Sequence, residues 1–203
     1  MSVQSVILTD QNSTKISHRV LGAVGMFLSP MLVLGWMFHA QQFEQPSPNP
    51  LITSLGGILY LLGAMASATA MRNLRVTGSG IGGAILYFVQ MTGLFLAMWF
   101  DVFEYAAPQL RGTWVFFITD LAYPFSHILM IVVGVAVLRA GVWRGWRRFP
   151  AFLVGLALPS FILLSVLFGR ANWSFIFPLL VTTGFFTLGL AVLTTKSRET
   201  LDL

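Results

Sequence analysis

One apolar stretch carries the side chains best suited to chemistry: Asp120, Tyr123, Pro124 and His127. Their i, i+3, i+4, i+7 spacing places them on one face of a helix. A carboxyl, a phenol and an imidazole on a shared face could pass protons, act as acid and base, or line a polar pocket. Pro124 has no N–H for the carbonyl one turn back, near Asp120, and Ser126 can help satisfy the loosened backbone. The preceding apolar stretch supplies a matching stripe of Gly83, Tyr87, Gln90, Leu94, Ala97, Asp101 and Glu104 at helical spacing. Rise per residue sets their relative depths. Gln90 lies ~16 Å from Asp101 along the axis, and His127 lies ~18 Å from Val115. Both therefore fall near mid-helix, level with Ser29-Pro30, Tyr60, Pro159-Ser160 and Thr182-Thr183-Gly184. Such a polar layer with proline-interrupted helices is common to transport sites and to helix packing through small and hydroxyl residues.

The same spacing excludes other chemistry. Asp120 and His127 are ~10 Å apart along the axis, too far to be direct ligands of one metal ion. A shell of His39, Asp101, Glu104 and Asp120 has no His-x-x-x-His or His-Glu-x-x-His spacing behind it, so no metal is assigned. His39 and His127 differ too much in depth, and His18 lies toward the opposite side, so bis-histidine haem is rejected and no cofactor is read. The chain has no cysteine, which removes disulfides, thiolate ligands and thiol catalysis. The run Gly78-Ser79-Gly80-Ile81-Gly82-Gly83 follows no strand and opens an apolar helix, so it is not a nucleotide loop. Asn172-Trp173-Ser174 matches a glycosylation triplet but sits tight between apolar runs and is discounted.

The elements that must position these residues are apolar helices. Of 203 residues, 56% are hydrophobic and 9% charged, with mean hydropathy +0.80. A soluble domain carries about 25% charged residues. A bilayer crossing takes ~20 apolar residues, and helices satisfy their own backbone groups in lipid. The apolar runs give six spans at about 20–40, 51–71, 80–100, 115–138, 151–169 and 174–195. The fold expected is therefore an all-α integral membrane protein, a polytopic bundle of six transmembrane helices. It divides into an N-terminal tail (1–19), the transmembrane domain (20–195) and a C-terminal tail (196–203). The polar N-terminal stretch lacks the apolar core of a signal peptide. Six spans permit a three-plus-three inverted repeat, but residue-by-residue comparison reveals none.

Charge sets the orientation. Lys15, Arg19, Arg72, Arg75, Arg139, Arg144, Arg147, Arg148, Lys196 and Arg198 fall on one side, against Arg111 and Arg170 on the other. The positive-inside rule then places both termini in the cytoplasm, in a plasma (bacterial inner) membrane. Trp36, Trp99, Trp114 and Trp173 map to the outer interface, and Trp143 and Trp146 to the inner. The formal charge of +5 thus reflects topology, not nucleic-acid binding. Anionic inner-leaflet lipids are the partners expected near Arg139, Arg144, Arg147 and Arg148, and a second copy or another membrane protein is compatible with this surface.

The leading functional reading is a small transporter or ligand-binding membrane protein, proton-linked in one version, with an outward-facing polar pocket for a small molecule or ion. Asp120, Tyr123, His127 and Gln90 line it and Asp101 and Glu104 stand at its mouth, with His39, Tyr60, Tyr87 and Ser126 as secondary candidates. Two rivals stand beside it. A membrane-embedded enzyme using Asp120 and His127 as acid and base on a lipid or isoprenoid predicts a cavity open laterally to lipid. A non-catalytic accessory or assembly subunit predicts that every buried polar group is paired and that no cavity exists.

Overall fold

The computed structural model describes residues 18–39, 50–169 and 176–195, the first of these with side chains to Met37. All six of its long helices are apolar enough to cross a membrane: α1 (His18–Met37), α2 (Pro50–Asn73), α3 (Ile81–Ala106), α4 (Trp114–Ala140), α5 (Pro150–Phe168) and α6 (Ile176–Leu193). No strand occurs among the described residues. Each helix packs against the next in sequence, and α6 returns to α1 and α2, closing the ring. The chain therefore runs up and down. α1, α3 and α5 finish where α2, α4 and α6 begin, at what we call the acidic end; the basic end is opposite.

Close helix approach rests on small residues. A Cβ on Gly25 would strike Ser67, one on Gly63 would strike Leu28, and one on Gly189 would strike the α1 backbone at Met26. Between α4 and α5, Gly155 admits Ile131 and Gly134 admits the Phe152 ring. The apolar centre is built from Tyr60, Leu61, Leu94, Val133, Val154, Val181 and Phe185, drawn from α2 to α6.

Proline marks the places where helices are interrupted. α1 is broken at Ser29-Pro30, where the Ser29 hydroxyl donates to the Gly25 carbonyl at 2.5 Å. The Ser29 carbonyl in turn accepts from the Thr182 hydroxyl of α6 at 3.3 Å. The Ser29 carbonyl, which at this break accepts only a long 3.4 Å bond from the Leu32 N–H, thus gains a second donor from a neighbouring helix. Pro124 and Pro159 lie inside α4 and α5.

α3 extends beyond the span read from sequence. It continues through Asp101 and Glu104 to Ala106, because Val102, Phe103 and Tyr105 sustain it and the first breaker is Pro108, in a short 3-10 turn. Asp101 and Glu104, which continue the helical stripe past the span end at 100, are helical. α4 begins from the Thr113 cap, whose side chain accepts from the Phe116 N–H at 3.4 Å. It ends at Gly141, whose positive φ of 64° supplies the left-handed stop.

The basic end also differs from the aromatic-belt expectation. Trp143 is buried in the α4–α5 connection at 2% exposure, whereas Trp146 is exposed. Arg148 Nε donates to the Trp143 carbonyl at 2.7 Å, and Arg147 donates to the Thr194 carbonyl at 3.0 Å at the end of α6. Of the four arginines assigned to lipid headgroups, Arg147 therefore also ties this connection to α6, and Arg148 braces the connection internally. The glycine run before α3 serves a turn: a Cβ on Gly83 would strike the backbone carbonyls of Thr77 and Gly78.

Candidate functional site

At the acidic end, all six helices contribute to a cavity of about 510 Å³. Three carboxylates line it: Asp101 and Glu104 from α3, and Asp120 from α4. Its walls are mostly apolar and aromatic, with Trp36 from α1, Phe100 from α3, Tyr123 from α4, Phe161 from α5 and Phe177 from α6. α2 brings Thr53, Ser54 and Gly57. The volume falls in the range of small-molecule sites, which are apolar with a few polar groups placed among hydrophobic walls.

The carboxylates are not equivalent. Glu104 is paired with Arg111 in an exposed ion pair. Asp120 is exposed, near the start of α4. Asp101 is half-buried, and its Oδ2 has neither solvent-accessible surface nor a hydrogen-bond partner among the described residues. Its carboxyl lies against Gly57, where any Cβ on α2 would collide with it. Asp101 is thus the more buried of the two and Asp120 the more exposed, although each stands five or six residues inside its helix end.

His127 lies behind this cavity. Tyr123 and Phe177 both line the cavity, and both rings lie against His127, with centroids 5.0 Å and 5.5 Å away. His127 is 1% exposed and Tyr60 0%. The His127 Nδ1 lies 2.7 Å from the Tyr123 carbonyl, which can only accept, so Nδ1 carries the hydrogen. Nε2 is then the acceptor of the Tyr60 hydroxyl at 2.8 Å. Phe185 packs edge-on against both rings. His127 thus makes the α2–α4 hydrogen bond that a packing role requires, and it is not a wall of the cavity.

Gln90 is also elsewhere. Its amide donates to the Ser126 carbonyl at 3.2 Å, joining α3 to α4, while its Oε1 has no partner among the described residues. It borders a narrow void of about 20 Å³ together with Tyr87, toward the basic end. Tyr87 lies 3.3 Å from the Thr69 hydroxyl of α2. Ser126 donates to the Tyr123 carbonyl at 2.9 Å. The structure thus gathers Asp101, Glu104, Asp120 and Tyr123 at the cavity and separates Gln90, Tyr87, Ser126, Tyr60 and His127 from it. The His39 side chain lies outside the described residues. Among the described residues, no group of three or more potential metal ligands is assembled.

Sequence reasoning missed Ser54 and Gly57, whose small size gives no chemical signal, and the walls Trp36, Phe161 and Phe177, which read like any lipid-facing aromatics. Two features were available: Gly57 sits mid-helix where alanine would be better, and Trp36 was already placed at the same end as the acids.

On the other side of Pro124, an apolar groove of about 730 Å³ runs between α3 and α4, bordered by Phe88, Leu96, Leu121 and Phe125. Pro124 lines both spaces. Compared with models of known protein families, with functionally characterised proteins and with solved structures, the chain matches none.

Proposed function

We propose that this protein is a multi-pass membrane protein, both termini cytoplasmic, that binds a small molecule in an outward-facing cavity and serves its transport. The observation that carries the reading is the cavity of about 510 Å³, into which the inner carboxylate Asp101 and the rim carboxylates Glu104 and Asp120 face. Orientation follows from charge. Among the described residues, Arg19, Arg72, Arg75, Arg139, Arg144, Arg147 and Arg148 belong to the basic end and Arg111 to the acidic end, so the cavity opens away from the cytoplasm. Carboxylates within a membrane bundle are costly, and where they occur they mark ligand or ion pathways. A plasma (bacterial inner) membrane location is part of the same reading, as are anionic lipids at the exposed Arg139 and Arg144.

The cavity weighs against the accessory-subunit rival, which has no use for unpaired carboxylates around an open space. The enzyme rival loses its base, because the Tyr60 hydroxyl occupies the free nitrogen of His127. The groove beside Pro124 gives it one supporting feature, a contact between cavity and lipid-facing surface.

The absence of native cysteine makes accessibility the natural test. Ser54→Cys places a thiol on the cavity wall. A membrane-impermeant maleimide added to intact cells is expected to label it; a thiol protected in cells and labelled only after permeabilisation contradicts the outward orientation. Transport further requires labelling of the same residue from the cytoplasmic face in inside-out vesicles. Labelling from outside alone marks a binding protein.

A further inference from the structure

We infer that the cavity takes an organic cation with an apolar, aromatic-sized body, such as a protonated or quaternary amine. The inference rests on the ligand-binding reading above and adds the class of ligand.

Charge comes first. Glu104 is neutralised by Arg111, which leaves Asp101 and Asp120 as the carboxylates without a basic partner among the described residues, and among those residues no lysine, arginine or histidine lines the cavity. An anion would meet only like charge there. The inner carboxylate is also held in an unusual way. Asp101 Oδ2 is closed off from solvent without a donor, packed beside Gly57. An ionised carboxylate in such a place is unfavourable without a counter-charge, and in its absence the group takes up a proton instead. A bound cation supplies that counter-charge.

The walls argue next. Trp36, Phe100, Tyr123, Phe161 and Phe177 present aromatic surface around the carboxylates. Aromatic faces attract cations and favour weakly hydrated, alkylated ones over small ions that keep their water. A bare metal ion fits poorly, because no group of three ligands is assembled among the described residues and the space far exceeds one ion. Ser54 completes the site. It lines the cavity at 3% exposure with no side-chain hydrogen bond among the described residues, leaving a hydroxyl available to a ligand N–H.

The test uses the full chain purified in detergent, with Ser54→Cys and, as a second position on the opposite wall, Leu158→Cys. Each is reacted with trimethylammonioethyl, sulfonatoethyl and uncharged methyl methanethiosulfonate, with rates normalised to those of a free thiol. The cationic reagent is expected to react on the order of tenfold faster than the anionic one, as a cleft lined by one sign of charge concentrates its counter-ion. Asp101→Asn with Asp120→Asn should abolish that preference, and benzyltrimethylammonium should slow labelling where benzenesulfonate does not. If the uncharged reagent reacts while cation and anion show no difference, the cavity stands and the cation assignment falls. If no reagent reacts at either position, the ligand-binding reading falls with it.

Discussion

Two neighbouring groups of polar side chains, barely a helical turn apart along α4, have opposite fates. Around Tyr60, Tyr123 and His127, each nitrogen of the imidazole has a partner and aromatic rings close over it. Around Asp101 and Asp120, one buried oxygen has no donor among the described residues, and both residues line open space. The first arrangement spends polarity on joining α2 to α4. The second leaves polarity unspent, at an energetic disadvantage that protonation or, in the reading proposed above, a bound cation relieves. The difference teaches that burial of an ionisable group in a membrane bundle does not identify a site by itself; the decisive feature is whether the group is already satisfied.

Substitutions can break this contrast, because their effects on stability should differ in size and sign. The largest loss belongs to His127→Ala. It empties a packed position and strips Tyr60 of its acceptor, costing ~3 kcal/mol in unfolding measured in detergent. Tyr60→Phe removes only the hydroxyl and should cost ~1 kcal/mol, near the upper range for interhelical hydrogen bonds in membrane proteins. Arg147→Ala cuts an exposed link to Thr194 and should shift stability by no more than ~0.5 kcal/mol. Asp101→Asn should leave the unfolding temperature unchanged or raise it, since it removes a charge whose Oδ2 has no partner among the described residues. A loss like that of His127→Ala would show that Asp101 is structural. Gly57→Ala sharpens the contrast further. Its Cβ would displace the Asp101 carboxyl, so cation preference should weaken with the charge still present.

How far the sequence foretells this arrangement depends on the kind of signal each residue carries. The helices follow from long apolar runs whose backbone can be satisfied only internally, and all six are recovered. Hydropathy ends the third span at 100, where the charged residues begin, whereas the helical spacing of Asp101 and Glu104 carries on to the end of α3. Depth counting did place Tyr60 level with His127, and a tyrosine or serine partner is what a packing role for that histidine calls for. It could not choose between Tyr60 and the serines at the same level, Ser29 and Ser160, since helix rotation and neighbour order are not written in one helix alone. Ser54, Gly57 and the aromatic walls escaped because their role is geometric. They shape space, and composition carries no trace of space.

The most direct test compares one thiol from each region. Ser54→Cys lies on the cavity wall, whereas Ser126→Cys lies in the paired layer at a site equally closed to solvent in the resting fold. Both are reacted with uncharged methyl methanethiosulfonate in the folded, full-length protein, and again after denaturation. Position 54 is expected to be modified readily, and position 126 to be protected until the protein unfolds. Equal rates at the two positions in the folded protein would contradict it.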